Sequence, residues 1–269
     1  MLIAIVFLAG GTRANTIVFP AQTGQTLDQA FLWAESGDSI VVRNGTYRGS
    51  FFVKPGIILK AEAPGNAIFD GGGRGIVMTL GLGAQIQGLT IQNGTVGVFS
   101  KHAKTVIRNC RIVRNWQSGI ICVRHLPEIT NNVIAFNRAS GIKCYGVKST
   151  AGASKISHNC IAFNRRNGLT IDGNSEATVE YNIIAHNSRF GLYSAHEQVR
   201  LTVSSNDFYD NLTVLEPFPK GNFSYDPVFT SPKGLLDFTS KGNCKECVPG
   251  QMPGLQADSE RSSSSSYYQ

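Results

Sequence analysis

Four side chains in the middle of the chain have the chemistry of proton transfer or anion binding. Lys143 and Tyr145 stand two residues apart, Arg166 follows, and Asp172 stands 27 residues after Tyr145. Lys, Tyr and Asp can donate or accept a proton, and Arg and Lys stabilise negative charge. Whether the four residues act together depends on whether the fold brings them to one face.

An internal repeat determines which of these side chains share a face. The unit consists of Asn, three residues, Gly and an aliphatic residue, and successive Asn residues are 22, 22, 27 and 23 positions apart. The copies run over Asn93–Val98, Asn115–Ile120, Asn137–Ile142, Asn164–Leu169 and Asn187–Leu192. Asn211 continues the spacing without the Gly, and Asp70 with Gly75 forms a looser copy upstream.

Three further columns keep the same register. Aliphatic residues stand eight and three positions before each Asn, as Ile129 and Ile134 do, and a second Asn column, as at Asn132, stands five positions before. Each copy therefore predicts three short strands, which bury their apolar side chains only when copies stack. Stacking at about 4.8 Å per coil joins the columns into one core. The sequence predicts an all-β chain, a single-stranded right-handed parallel β-helix of about 7–8 coils.

The corner residues have a predicted role as well. Asn tolerates left-handed backbone and bonds to nearby main chain, so the Asn columns are expected at the corners. Gly at the third turn is expected to give the backbone the freedom to re-enter a strand. Cys122 and Cys144 fall in one inward column on successive copies, which predicts either stacked thiols or a disulfide.

The two ends of the chain are predicted to differ from the repeat. Residues 1–14 have the composition of a secretory signal peptide, with a first buried strand as the alternative. Residues 15–240 are expected to form the β-helix domain, with a capping helix over 26–35, N-capped by Thr26, and an irregular C-terminal end. Residues 241–269 hold a Cys-x-x-Cys segment, for which a local disulfide or pairing to another Cys is favoured, and a serine-rich tail expected to be disordered.

Positive charge is concentrated on the repeats. Residues 84–205 hold 14 Lys and Arg against 5 Asp and Glu, and the whole chain carries +7. A basic solenoid predicts an anionic partner. An acidic polysaccharide is favoured over nucleic acid, because the chain has no recognised nucleic-acid module. No segment predicts a membrane span, and the signal-like start predicts a secreted or periplasmic protein.

Several segments together resemble the pectin-lyase-like right-handed β-helix superfamily. They are Ser36–Asp38 with Ile40–Val42, Asn44–Tyr47, Gln87–Ile91 and the Asn/Gly ladder from Asn93 to Gly191. Gly221–Phe229 is similar to the closing segment of bacterial secreted members. The resemblance covers roughly residues 38–238 and implies the fold. For activity it implies carbohydrate lyases, hydrolases and epimerases, but also non-catalytic members.

The resemblance also implies a substrate cleft on the strand that follows the Gly of each copy. Alternation points two residues of each strand outward. The first outward positions are Phe99, Ile121, Lys143, Thr170 and Tyr193, and the second are Lys101, Val123, Tyr145, Asp172 and Ala195. Lys143, Tyr145, Asp172 and Arg166 are therefore the predicted catalytic residues. The predicted substrate-binding residues are Lys101, Trp116, Arg138, Arg165, Arg189 and Tyr193.

These residue types favour one reaction class over others. A uronate lyase or C5-epimerase needs a cation for the carboxylate, a base for the C5 proton and an acid for the leaving oxygen. Glycoside hydrolysis normally needs two carboxyl groups, and a calcium-dependent lyase needs several oxygen ligands, whereas the cleft strands offer only Asp172. No metal or cofactor is predicted. His102 and His196 would lie too far apart to share a metal ion.

Two functional hypotheses follow from the sequence. The first is a secreted protein that acts on an acidic, uronate-type polysaccharide by lyase or C5-epimerase chemistry. The alternative is a non-catalytic β-helix that binds anionic glycan or serves as a surface scaffold. The patch itself has a simpler interpretation as well, a solvated basic face on which Lys143 and Asp172 form a surface ion pair of little energetic value.

Overall fold

The chain winds into a coil whose turns each contribute a strand to three parallel sheets. A computed structural model describes residues 14–19, 27–148, 154–194, 199–213, 220–232 and 237–240. The fold is the predicted right-handed parallel β-helix, with about eight turns. Several predicted features lie outside the described residues: the signal peptide apart from Ala14, Thr26, most of the insertion after Gly146, Ala195, His196 and the segment from 241 onward.

The three sheets succeed one another around each turn of the coil and are called A, B and C in that order. Sheet A consists of Thr16–Phe19, Ser39–Val42, Ile58–Ala61, Gln85–Gln87, Val106–Arg108, Glu128–Thr130, Ile156–Ser157, Glu176–Glu180 and Arg200–Ser204. Sheet B consists of Gly45–Arg48, Ala67–Asp70, Thr90–Gln92, Arg111–Val113, Val133–Ala135, Cys160–Ala162, Ile183–Ala185 and Asp207–Tyr209. Sheet C consists of Phe51–Val53, Ile76–Leu80, Val96–Ser100, Ile120–His125, Ile142–Lys148, Leu169–Asp172 and Leu192–Tyr193. A separate antiparallel pair joins Phe229–Ser231 to Asp237–Ser240.

The aliphatic columns predicted from the repeat line the interior. Strand register confirms the columns Ile107–Ile129–Ile156–Val179–Val203 in sheet A, Ile112–Ile134–Ile161–Ile184–Phe208 in sheet B and Val98–Ile120–Ile142–Leu169–Leu192 in sheet C. Every isoleucine in these columns is fully buried. Each buried Ile contributes about 1.5–3 kcal/mol, so the columns supply the free energy that holds successive turns together.

Two columns of buried asparagines hold two corners of the coil. Asn159 Oδ1 accepts hydrogen bonds from the backbone N–H and the Nδ2 of Asn132, both at 3.0 Å, while Asn159 Nδ2 donates to the Ile129 carbonyl at 2.8 Å. The A–B corner holds Asn132, Asn159, Asn182, Asn206 and Asn222, and the B–C corner holds Asn115, Asn137, Asn164, Asn187 and Asn211. Buried amides with these partners stabilise the stack, whereas unpaired ones would cost free energy.

The B–C ladder begins one residue later than the repeat indicated. The Gly94 N–H donates to Asn115 Oδ1 at 3.0 Å, so Gly94 occupies the first position of the ladder. Asn93 instead donates from Nδ2 to Asp70 Oδ2 at 2.8 Å. The prediction that placed Asn93 in the ladder is therefore wrong by one residue. The connection from the ladder position to the paired residue of sheet C is one residue shorter from Gly94 to Val98 than from Asn115 to Ile120. Gly94, and not Asn93, therefore falls at the ladder position.

The predicted bonds from the corner Asn residues to nearby main chain are confirmed, but the predicted left-handed backbone at the ladder Asn residues and the predicted role of Gly are wrong. The left-handed residue is the one before each ladder Asn, such as Phe136 with a φ of 58° before Asn137. Gly119 does not have a positive φ. A Cβ there would lie 2.8 Å from the Gly141 carbonyl oxygen and 2.8 Å from Asn137 Nδ2. The repeated Gly therefore provides space for the ladder rather than conformational freedom.

Sheet B is buried on its outer face as well as its inner one over the strands Val133–Ala135, Cys160–Ala162 and Ile183–Ala185. Val133 and Ala135 flank the inward Ile134, yet they are 1% and 0% exposed. Phe229, from the segment after the last coil, packs on this outer surface. The sequence signal was available, because strands that read Val-Ile-Ala or Ile-Ile-Ala are apolar at every position, as in sheets covered on both sides.

The predicted capping helix is present over Leu27–Trp33. Leu27 and Phe31 are buried in the core at the N-terminal end of the stack. Lys54 Nζ donates to the carbonyls of Phe31 and Ala34 at 2.8 and 2.9 Å, which satisfies acceptors that a helix C-terminus leaves open.

The paired cysteines of the core are free thiols. Cys122 and Cys144 are register partners on adjacent strands of sheet C, and both are fully buried. The hydrogen bond with Cys144 and burial together raise the pKa of the Cys122 thiol. Burial also raises the pKa of the Cys110 thiol to about 12. The thiols of Cys122 and Cys110 therefore stay protonated at neutral pH and are structural rather than nucleophilic.

Candidate functional site

The outer face of sheet C carries one continuous column of side chains. Register between neighbouring strands aligns Phe52, Thr79, Phe99, Ile121, Lys143, Thr170 and Tyr193. Lys143 is exposed, while Thr170 is nearly buried because its Oγ1 bonds to Ser140 and Asn167. The alternation of inward and outward residues predicted from the repeat therefore describes this face.

Tyr145 and Asp172 form a second outward pair beside Lys143. The two residues are register partners on adjacent strands. The Tyr145 side chain is 57% exposed, and a Cβ at Gly173 would lie 3.3 Å from its ring, so the ring lies over Gly173. An irregularity in the ladder follows directly, with Gly146 at a φ of 57°. Such bulges re-aim side chains, and they are frequent next to functional sites.

Four exposed arginines stand at the turns that enter sheet C. Backbone hydrogen bonds from Arg138 to Asn115 and from Arg165 to Asn137, both 2.9 Å, place Trp116, Arg138 and Arg165 on successive turns. Arg189 N–H donates to the Arg166 carbonyl at 3.0 Å, so these two arginines are also neighbours. The arginine rim, defined as Arg138, Arg165, Arg166 and Arg189, borders the strands that carry Lys143, Thr170 and Tyr193.

Trp116 marks the N-terminal end of the arginine rim. The guanidinium carbon of Arg138 lies 3.7 Å from the centroid of its ring, as in a cation–π contact. The indole is still 51% exposed, but one of its faces is occupied by Arg138. A sugar ring stacked on Trp116 would use the remaining exposed surface.

The opposite margin of sheet C is basic as well, and the sequence reasoning missed most of it. Arg124, Lys104 and Lys148 are exposed at the ends of sheet C strands or just after them, together with the predicted Lys101. Lys148 Nζ donates to Asn174 Oδ1 at 2.8 Å. A search for cations four to eight residues after each repeat Gly would have found Arg124 and Lys148.

Acidic groups are scarce on this face. Among the seven described strands of sheet C, Asp172 is the single carboxylate, and its Oδ1 accepts a hydrogen bond from the Gly173 N–H at 3.0 Å. Over the described ranges, no three His, Cys, Asp or Glu side chains gather as they would around a metal ion. The described outer face of sheet C is therefore predominantly basic, and Lys143, Tyr145, Asp172 and Tyr193 are the proton-transfer groups named on it.

A second cluster of rings lies at the B–C corner. Phe136 and Phe163 stack at 5.3 Å between centroids, as their shared register predicted, and His186 continues the stack at 4.8 Å from Phe163. His186 Nδ1 lies 2.7 Å from Asp210 Oδ2, and Phe229 packs on the stack. This cluster fastens the segment after the last coil to the outer face of sheet B.

Comparison with known proteins identifies the architecture. The family model described as "Right handed beta helix region" matches residues 31–153 and 74–215. No curated protein matches the sequence significantly. Among solved structures, pectate lyase Pel9A is similar with a TM-score of 0.57 and 12% identity over 73% of this chain. The chain spans 60% of the length of that lyase.

Two further solved structures are similar at lower scores. An alginate lyase from Paenibacillus sp. str. FPU-7 matches with a TM-score of 0.44 and 14% identity, over 78% of this chain and 99% of that one. A pectin methylesterase matches with a TM-score of 0.42 and 11% identity, over 80% of this chain and 93% of that one. Among the described residues, no helix has the length and apolar character that crossing a membrane requires.

Proposed function

The chain belongs to the right-handed β-helix family, and from that premise we propose that it binds an acidic polysaccharide along the outer face of sheet C. The observation that carries the proposal is the arginine rim, in which four exposed guanidinium groups stand on three successive turns beside Lys143. Arg presents a planar pair of donors that matches a carboxylate.

The spacing of the arginine rim suits a polymer better than a small anion. Successive turns are about 4.8 Å apart, a distance comparable with the length of one sugar unit. An exposed ion pair contributes only about 0.2–1 kcal/mol. A polymer that contacts several such groups at once gains the sum of these small free energies, but it loses translational and rotational freedom only once. Arg124 and Lys148, on the opposite margin of sheet C, offer further cations to a polymer that lies along this face.

The choice of a uronate polymer has a second, weaker support. Pel9A, which shares the fold, is described as a pectate lyase, and pectate is a polymer of ionised uronates. The fold alone does not transfer a substrate, so the proposal depends on the charges of this chain. An extracellular or periplasmic site of action follows from the proposal, because acidic polysaccharides are components of matrices outside cells.

Affinity measurements test the binding proposal directly. Polygalacturonate and alginate oligomers of defined length are titrated against the protein and against the double variant Arg165→Gln/Arg166→Gln. A matched control, Arg48→Gln/Arg200→Gln, removes the same charge from sheets A and B. We expect the first double variant to lose on the order of tenfold in affinity and the control less than twofold. Equal losses in the two variants, or no binding by the parent protein, would contradict the proposal.

Catalysis on the bound polymer is the second candidate function, favoured by the exposed Lys143 and Tyr145 beside Asp172. In β-elimination, Lys143 or Tyr145 would take the C5 proton while Arg166 stabilises the charge that develops on the carboxylate. The C4–O bond then breaks, a C4–C5 double bond forms, and the leaving oxygen takes up a proton. In epimerisation the C4–O bond stays intact, and a second proton donor delivers a proton to the opposite face of C5.

Product analysis separates catalysis from binding alone. Absorbance of unsaturated uronates reports elimination, and proton NMR reports the epimer ratio. We expect Tyr145→Phe and Lys143→Met to abolish either signal, and Tyr225→Phe, a matched variant of an exposed Tyr outside sheet C, to retain it. If the parent protein binds the polymers without either product, binding without turnover is the function.

A further inference from the structure

The floor of the candidate cleft changes character at one boundary between adjacent turns. On the N-terminal side the outward column holds Phe52, Thr79, Phe99 and Ile121, which we call the apolar floor. On the C-terminal side it holds Lys143, Thr170 and Tyr193, which we call the basic floor. Ile121 and Lys143 are register partners on neighbouring strands, so the change is complete within one turn.

The margin of the cleft at the turns that enter sheet C changes at the same place. Beside the basic floor the turns carry the arginine rim, whereas the apolar floor is bordered by Gly71, Gly72, Gly73, Arg74 and Gly75. The Trp116 indole stands between the two, with Arg138 on its ring and Gly73 near its nitrogen. The floor and this entry margin therefore divide one cleft into two parts, while the opposite margin carries Lys101 and Arg124 beside the apolar floor as well.

The apolar floor is a poor place for a carboxylate and a good one for an uncharged sugar. Phe52 is 51% exposed, and Phe99, Ile121 and Val123 are half-buried, so these side chains hold water that a ligand can displace. Aromatic rings pair well with the apolar faces of sugars, whereas an ionised group laid on these side chains would lose hydration. The cations Lys101 and Arg124 stand at the margin of this floor and not within it. The four turns span about 14 Å, which is room for about three sugar units.

We propose that the apolar floor binds uncharged sugar units of the same polymer whose ionised uronate units bind along the arginine rim. The preferred ligand is thus a polysaccharide in which an uncharged block, either carboxyl-esterified uronates or neutral sugars, adjoins an acidic block. This inference rests on the proposed function, because it assigns the second half of the same cleft. The continuity of the outward column from Phe52 to Tyr193 argues for one extended ligand across the boundary.

The experiment uses polymers that differ only in how charge is distributed. Binding to fully ionised polygalacturonate is compared with binding to chains of equal length that are methyl-esterified in one block, esterified at random, or joined to a neutral galactan block. The parent protein should bind a block polymer on the order of fivefold more tightly than the fully ionised chain. A gain with the ester block alone identifies esters as the uncharged units, and an equal gain with galactan identifies neutral sugar faces.

Two variants assign the gain to the apolar floor. Phe99→Ser and the more exposed Phe52→Ser should each remove most of the fivefold preference and leave affinity for fully ionised polygalacturonate within twofold of the parent. Thermal unfolding confirms that each variant is folded. Arg165→Gln/Arg166→Gln should weaken binding of every polymer and keep the preference.

The possible failures differ from one another. If the parent protein binds no uronate polymer, the proposed function itself is wrong. If it binds ionised polygalacturonate as tightly as both block polymers, or if both Phe variants keep the full preference, the two-part cleft is wrong while acidic-polysaccharide binding stands. Equal binding to block and random esters would also overturn the proposal, because a divided cleft requires a contiguous uncharged block.

Discussion

The apolar floor and the basic floor have the same backbone but differ in how their corners are built. Both lie on parallel strands of sheet C, in one unbroken register. The turns beside the basic floor are held by the ladder that starts at Asn115, whereas Gly94 stands at the corresponding position one turn earlier. The comparison teaches that the strands supply spacing alone, and that the corners decide which side chains are held in line.

The asparagine ladder and the arginine rim are linked by sequence position. Arg138 directly follows Asn137, and Arg165 directly follows Asn164. Each ladder Asn fixes the backbone of its turn through buried hydrogen bonds, so the residue that follows it leaves the corner in the same direction on every turn. The ladder therefore does more than stabilise the coil, because it also aligns the cations proposed to bind the polymer.

Removing a ladder amide should lower the free energy of unfolding far more than removing an Asn outside the ladder, and this is the largest difference expected between the two regions. Asn137→Ala deletes the acceptor for Asn115 and the donor to Ile112, and it leaves buried groups without partners. We expect a loss of about 3 kcal/mol in the free energy of unfolding. Asn93→Ala, outside the ladder, should cost about 1 kcal/mol or less. Urea denaturation measures both, and similar losses would show that the two regions are held alike.

The contrast between ladder and cleft also shows what the sequence could predict. Inward columns were predictable, because one aliphatic residue per turn has to repeat to fill a continuous core. The placement of Lys143, Tyr145 and Asp172 on one face followed from the same register and the period-2 alternation of strands. The sequence could not show why Gly repeats, because a position without space for a Cβ atom and a position that needs a positive φ both select Gly.

Other features depended on contacts between distant parts of the chain. The pairing of Asn206 with Asn222 breaks the repeat spacing, being only 16 residues away, so periodicity could not predict that the ladder continues there. The contact of Arg138 with Trp116 depends on side-chain conformation, which register does not determine. The change from Ile121 to Lys143 was already visible in the outward column of the sequence. It indicated a divided cleft only after the structure had located the arginine rim beside one part of that column.

Salt should weaken binding at the basic floor but not at the apolar floor, and this effect is expected to be smaller than the loss of stability from Asn137→Ala. Surface charges are screened over about 10 Å at 0.1 M salt, and apolar contact is not weakened by salt. We expect affinity for ionised polygalacturonate to fall on the order of tenfold between 50 and 500 mM NaCl, and the preference for an ester block to persist. Titrations across this range measure both quantities. A preference that disappears in parallel with the affinity would indicate that charge alone explains both floors.

Two aspartates near opposite ends of sheet B should respond oppositely to pH. Burial alone would raise the pKa of Asp70, but hydrogen bonds from Gly72, Asn93 and Gln92 outweigh it and lower that pKa. Burial raises the pKa of Asp207, the Tyr225 N–H opposes this, and the negative charge of Asp226 adds to it. Asp207 is 0% exposed, and its Oδ2 has no hydrogen-bond partner among the residues that the structure describes.

The signs of the two contributions follow from linkage. Asp70 stabilises the fold above its unfolded pKa of about 3.9, and this contribution is lost as pH falls through the lower folded pKa. Asp207 destabilises the fold as pH rises from about 3.9 through its raised folded pKa. At pH 7 we expect Asp207→Asn to gain about 1 kcal/mol and Asp70→Asn to lose stability. Unfolding from pH 3 to 7 checks both, and a loss for Asp207→Asn would contradict the assignment.

The smallest expected effect lies at the boundary between the two floors. Arg138 covers one face of Trp116, a contact that contributes about 0.5–1 kcal/mol at an exposed site. In a Trp33→Phe background, which leaves Trp116 as the single tryptophan, Arg138→Gln should increase acrylamide quenching of its fluorescence with little change in stability. Block-esterified polygalacturonate should then lower that quenching in the parent and the variant alike, because a ligand that crosses the boundary covers the indole. Protection by polymer only when Arg138 is present would place the ligand on the cation alone, and it would shorten the proposed cleft to the basic floor.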